Sequence, residues 1–195
     1  FNTVKEAVEQ TGANASVLFV PAKAVKGAVT EAAEAGLDLA VCITDGVPVL
    51  DMLQIKEMLK SHKTLLIGPN TPGLITPEEA RLGIFPENIH QKGRIGIVSR
   101  SSTLTYEAVL ETNRANMGQS TVIGLGDDMV IGSDYIPSLD AFAQDDETDA
   151  ILLIGQQGGG FEEAAAKHYK TMEIKKPVIA FVAGNSIPFA HKMGY

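Results

Sequence analysis

Seven short runs of Val, Ile, Leu and Ala recur along the chain, and their spacing constrains the fold more than any other feature. They are Ser16–Val20, Leu39–Ile43, Thr64–Ile67, Ile95–Val98, Thr121–Leu125, Ala150–Ile154 and Val178–Val182. Each is continuous rather than alternating, as expected of strands covered on both faces in a parallel sheet. Between them lie stretches with apolar residues at three- and four-residue spacing, clearest in 22–35, 48–61 and 161–170. Strand and helix in alternation imply right-handed βαβ units, so the fold class is α/β with doubly wound parallel sheets. In such folds ligands lie at the carboxyl ends of the strands. The stretch 69–92 holds four prolines and no helical pattern, and it reads as an ordered crossover between two lobes. The expected division is 1–92 and 93–195.

The turn that follows the fourth run carries the clearest chemical signal. The segment Arg94–Val109 reads as a strand, a polar turn from Ser99 to Thr103, and the start of a helix bearing Tyr106. A helix entered through small hydroxyl residues leaves backbone N–H groups free at its positive end, which makes a seat for an anion. No acidic residue stands at the capping-box spacing, since Glu107 follows Thr103 by four positions. Serine and threonine also cap ordinary βα connections, so residue spacing alone leaves both readings open.

Charge and cysteine content narrow the partners. A formal charge of −8 argues against a nucleic-acid surface and against anionic membranes. No apolar run is long enough to span a bilayer. The single cysteine, Cys42, sits inside an apolar run, reads as a core thiol and fits a reducing compartment. The four histidines show no metal-ligand spacing, so no metal site is expected.

Several longer segments resemble the α subunit of succinyl-CoA synthetase (succinate–CoA ligase). They are NTVKEAVEQTGANAS at 2–16, Val20–Pro21, ITDGVPVLDML at 43–53 and GPNTPGLITP at 68–77. The resemblance continues through IHQKGRIGIVSRS and TLTYEAV within 89–109, GQST at 118–121, the glycines around 153–159 and Met193–Gly194. The resemblance implies a partial Rossmann-like CoA-binding lobe followed by a flavodoxin-like ligase lobe. It places the start of the match part-way into the first lobe, past a glycine-rich CoA loop, and the end at the phosphohistidine segment.

It also implies a chemistry. An acid and phosphate from ATP or GTP give an acyl phosphate, a histidine carries the phosphoryl group, and the CoA thiol takes the acyl group. Succinate is the default acid, with malate- or citrate-type relatives as alternatives. The nucleotide and its Mg belong to a partner β subunit. By resemblance, Val20, Pro21, Ile43, Thr44 and Asp45 line CoA. Ser101, Ser102 and Thr103 receive the phosphoryl group, which turns the open question at that turn toward an anion seat. Asn70, Pro72 and Tyr106 border the dicarboxylate. The expected location is cytoplasmic, or the mitochondrial matrix in a eukaryote.

Four departures cluster at the phosphoryl site. Tyr195 stands where the family has its phosphohistidine, and Gln156 replaces the glutamate that steadies it. Ser102 replaces a glycine, and Asp127 with Met129 replaces a glycine and a proline. A phenol with a pKa near ~10 is a weak nucleophile at neutral pH. Its phosphate ester also passes the group on less readily than a phosphoramidate does. A catalytically impaired homologue that binds CoA or assists assembly is therefore the alternative to an active ligase subunit. Uncovered sheet edges add self-association as an expectation.

Overall fold

The computed structural model describes residues 1–184. Its first sheet is three parallel strands in the order β1 (Ala15–Leu18), β2 (Leu39–Cys42) and β3 (Leu65–Ile67). Alternate side chains of these strands face opposite ways. Leu18, Ala40, Cys42 and Leu66 pack against α2 (Val25–Glu34) and α3 (Val49–Leu59). Val41 and Ile67 join a second cluster with Val98, Leu125 and Tyr135 of the following lobe. The first sheet is thus buried on both faces, which is why its strands are continuously apolar. The helix α1 (Val4–Thr11) is capped by Thr3, whose hydroxyl accepts from the Glu6 amide at 3.1 Å, and it ends at Gly12 in the left-handed region.

The second sheet has six strands in the order β5-β4-β7-β6-β8-β9. Four of them, β6 (Lys92–Ser99), β7 (Gln119–Gly124), β8 (Ala150–Gln156) and β9 (Val178–Ala183), are parallel. All seven apolar runs are strands. Helix α4 (Ser102–Arg114) contributes Val109 to one face, packed with Ile97, Val122 and Ile154. Helices α5 (Tyr135–Gln144) and α6 (Phe161–Thr171) cover the other with Leu139, Phe142 and Ala165.

The expected crossover at 69–92 is corrected by the structure. It contains an antiparallel hairpin, β4 (Gly73–Thr76) with β5 (Ala80–Gly83), turned at Pro77–Glu79. Leu74 and Ile75 then pair with Ile123 and Val122 of β7, so the second sheet is mixed rather than wholly parallel. The four-residue strands, ended by glycines and a proline turn, show no usable periodicity in the sequence. Sheet pairing hands residues 73–83 to the second sheet, although they precede Lys92 in the chain. Among the described residues, no helix is long and apolar enough to cross a membrane.

Candidate functional site

Strand β6 lies between β7 and β8, so its carboxyl end opens at the centre of the second sheet. The chain leaves it through a compact serine turn. Ser99 Oγ donates to the Ser101 carbonyl at 2.9 Å and accepts from the Ser101 amide at 3.0 Å. Ser101 is the N-cap, in an extended conformation (φ −121°), and its hydroxyl accepts from the Leu104 amide at 3.4 Å. The helix therefore begins earlier than the sequence suggests, and Ser102 and Thr103 lie inside its first turn. Among the described residues their amides meet no acceptor, while Leu104 and Thr105 are satisfied by Ser101. Two N–H groups at the positive end of a thirteen-residue helix are therefore left without an acceptor.

After β8, Gly158, Gly159 and Gly160 take φ values of 109°, 83° and 73°, and Gly160 starts α6 without a side-chain cap. Strands β6 and β8 are neighbours, and the Arg100 guanidinium at the end of β6 stacks over Phe161, the first residue of α6. Gln156, at the end of β8, donates from Nε2 to Asp127 Oδ1 at 2.8 Å. Its backbone amide donates to Glu162 Oε1 at 3.1 Å, which also accepts from the Tyr135 hydroxyl at 3.1 Å. Burial and then the Glu162 carboxylate push the Tyr135 phenol well above its ordinary pKa, so it stays protonated and donates. Two of the departures, 127 and 156, are thus direct partners.

A second set of strand ends carries the expected CoA residues. Thr44 Oγ1 donates to the Val20 carbonyl at 2.6 Å, tying the end of β2 to the segment before Pro21. The Ile43 amide donates to the Leu18 carbonyl at 3.2 Å. Asp45 and Phe19 are exposed, and Gly46 has open space around it. The carboxyl ends of β1 and β2 therefore form an open shelf of exposed side chains and backbone. Cys42 lies beneath it, buried, with burial pushing its thiol up to about 11, so it is no thiolate nucleophile.

Asn70 joins the two places. Its amide donates to the Thr44 carbonyl at 2.8 Å, its carbonyl accepts from the Asp127 amide at 3.2 Å, and its Nδ2 donates to Asp128 Oδ1 at 2.9 Å. It sits in the left-handed region (φ 57°), a conformation that asparagine tolerates better than most residues. Burial raises the Asp128 carboxyl above its usual range, against the lowering effect of the Asn70 amide. Pro72 is buried with its ring against Gly124. Tyr106 follows Ser102 by one helical turn and packs edge-on to Phe85, 5.9 Å between ring centres. Tyr195, His191, Met193 and Gly194 lie outside the described residues.

Arg100 is the site residue that sequence reasoning missed. It is 5% exposed, its Nη2 donates to the Asp128 carbonyl at 3.1 Å, and its guanidinium stacks 4.5 Å over the Phe161 ring. The available signal was a charged residue placed between an apolar strand and a helix cap. The remaining histidines stand apart. His62 Nδ1 meets the Met58 carbonyl, His168 Nε2 meets Asp140 at 2.6 Å, and buried His90 meets the Pro86 carbonyl at 2.7 Å. Among the described residues no group of three His, Cys, Asp or Glu is placed to hold a metal.

Residues 1–46 match the family model described as a CoA binding domain, and residues 98–194 match the model described as CoA-ligase. The succinate–CoA ligase [ADP-forming] α subunit of Staphylococcus aureus is 48% identical over 195 residues, all of this chain. That of Aquifex aeolicus is 51% identical over 197 residues. The chain belongs to the family of succinate–CoA ligase α subunits. It spans 64% of the length of each of these relatives. Solved structures share the family's fold at lower identity. ATP citrate lyase from Methanothrix soehngenii, in complex with citrate and coenzyme A, superposes with a TM-score of 0.88 at 23% identity, over all of this chain and 34% of its own. A dinucleotide-forming acetyl-coenzyme A synthetase from Ca. Korarchaeum cryptofilum gives 0.78 at 22% identity, over 94% of this chain and 40% of its own.

Proposed function

We propose that this chain serves as the α component of an NDP-forming acyl-CoA synthetase of the succinate type. The observation that carries the reading is the pair of free amides at Ser102 and Thr103, set in a chain 48% identical to succinate–CoA ligase α subunits throughout. In this reading residues 1–92 form the CoA-binding lobe and 93–195 the ligase lobe, with the 73–83 hairpin lent across to the second sheet. Val20, Pro21, Ile43, Thr44 and Asp45 hold CoA along the open shelf. CoA supplies the thiol that accepts the acyl group. Ser101 orients the helix, and the amides of Ser102 and Thr103 donate to the phosphoryl oxygens. Tyr106 and Asn70 face the acid, and Pro72 supports that wall from beneath. A β subunit contributes ATP or GTP with Mg, and the location is cytoplasmic, or the matrix in a eukaryote.

A second reading rests on residues 127, 156 and 195. The Gln156 amide is committed to Asp127 and offers no charge to an imidazolium, and Tyr195 is a poor phosphoryl carrier. On this reading the chain keeps CoA and its partner but transfers phosphoryl groups weakly. One experiment separates the two: incubation with labelled ATP, CoA, succinate and a β subunit from a related ligase. Succinyl-CoA formation with acid-labile label on this chain supports the active ligase. CoA binding without label or product supports the impaired homologue, and loss of CoA binding as well would overturn both.

A further inference from the structure

A cavity of about 400 Å³ lies at the turn of the β4–β5 hairpin, walled on its polar side by Glu78, Glu79, Arg81, Glu87 and His90. Ile75 and Pro77 give it an apolar side. Next to the turn, the Thr76 and Thr121 hydroxyls meet at 2.8 Å, which puts the cavity at the amino end of β7. The Ser99–Thr103 turn leaves the carboxyl end of β6, which runs parallel to β7, so the two places lie at opposite ends of the sheet. None of the residues expected to bind CoA, phosphate or the acid lines this cavity.

His90 gives the cavity its chemistry. The residue is 8% exposed, and its Nδ1 lies 2.7 Å from the Pro86 carbonyl. A carbonyl only accepts, so the ring proton sits on Nδ1. Burial pushes the imidazole pKa down, which keeps the ring neutral at neutral pH. Nε2 is then a bare lone pair, and among the described residues nothing donates to it. Phe85 stands edge-on to the ring, 5.3 Å between centres, and brings no polar group. Pro86, which takes the Nδ1 edge, is not part of the cavity wall, so the ring meets the cavity with the edge that carries Nε2. A buried acceptor without a donor is destabilising, and a donor supplied from the cavity removes that cost.

The charges on the wall say what kind of donor fits. Glu79 is balanced by Lys92 at 2.7 Å, and Glu87 by Arg81 at 3.4 Å. Glu78 enters no ion pair among the described residues. The wall thus offers one unbalanced negative charge and one bare acceptor. Among the described residues no group of three His, Cys, Asp or Glu is placed to hold a metal ion, and the volume is that of a small organic ligand. We infer that this cavity binds a small organic monocation, an alkylammonium or alkylguanidinium, which donates an N–H to His90 Nε2 and sets its charge toward Glu78. Its carbon chain lies against Ile75 and Pro77. The proposed function does not depend on this site.

The test is titration calorimetry of the full chain with butylammonium and, separately, butylguanidinium. Tetramethylammonium serves as a cation without an N–H, and imidazole nitrogen spectra of histidine-labelled chain are recorded alongside. The expected result is saturable binding of at least one N–H cation, with tetramethylammonium weaker by about tenfold or more. At saturation the His90 Nε2 resonance should move upfield from the position of a bare ring nitrogen, because it now accepts a hydrogen bond. His90→Asn should weaken binding by about tenfold or more, and Glu78→Gln, at an exposed position, by roughly two- to fivefold. The tighter of the two probes identifies the head group. Should His90→Asn fail to fold, the wild-type spectrum and Glu78→Gln still decide. No saturable binding of either N–H cation would overturn the inference, as would equal binding of tetramethylammonium. So would an Nε2 resonance that stays in place at saturation, or affinity unchanged in both variants.

Discussion

Gln156 and Asp127 are 29 positions apart in the chain, on the ends of different strands, yet they share a 2.8 Å hydrogen bond. Each is legible in the sequence as a departure from the family, and their contact is not, because no local pattern links the ends of β7 and β8. The bond makes a prediction about the pair. Gln156→Glu places two carboxylates where an amide now donates to one, so one of them must hold a proton near neutral pH. The expected cost is about 1–3 kcal/mol at pH 7, seen as a lower urea midpoint. The sign follows from linkage: the raised carboxyl pKa of the folded variant makes the loss shrink as pH falls and the pair shares a proton. Adding Asp127→Gly should restore most of the stability. A Gln156→Glu chain as stable as wild type at pH 7 would show that the amide donor is immaterial. Arg100 was hidden for a different reason, since charge in a turn reads as solvated until its burial is known.

At the scale of elements, long apolar runs announced themselves and short ones did not. Every run of four or more branched residues became a strand, because burial on both faces leaves no polar alternation to confuse the reading. The hairpin at 73–83 escaped because its strands are four residues each and its turn is built on proline and a left-handed Glu78. The start of α4 was placed late because Ser101 and Ser102 are equally good caps by composition, and only the Ser101 hydroxyl reaches a helix amide. The hairpin depends on close backbone approach at Gly73, where φ is +97° and an added Cβ would come within 2.0 Å of the Leu82 carbonyl oxygen. Gly73→Ala should therefore cost about 2–3 kcal/mol. Hydrogen exchange should show lost protection in β4 and β5 while β1, β2 and β3 keep theirs. Unchanged exchange in the hairpin would mean that the turn absorbs the extra methyl.

Across the whole molecule the two sheets are joined by a shared apolar cluster and by a few hydrogen bonds near the candidate site. Asn70 links the end of β2 to the loop after β7, and Lys56 of α3 reaches the Ile131 carbonyl at 2.9 Å. The α/β class was readable from residue order alone, whereas the turn at Ser99–Thr103 stayed open between a helix cap and an anion seat. The way the shelf at Thr44 meets the loop at Asp127 was not readable, because it depends on packing between lobes rather than on any motif. In the proposed function, that meeting sets the CoA residues and the two free amides on one chain. The account therefore stands on the two unpaired amides. The most direct test is a proton–nitrogen correlation spectrum of the labelled chain, titrated with inorganic phosphate. The account predicts saturable shifts centred on the Ser102 and Thr103 amides, with the first turn of α6 following. Resonances of Ser102 and Thr103 that stay in place while phosphate saturates would contradict it.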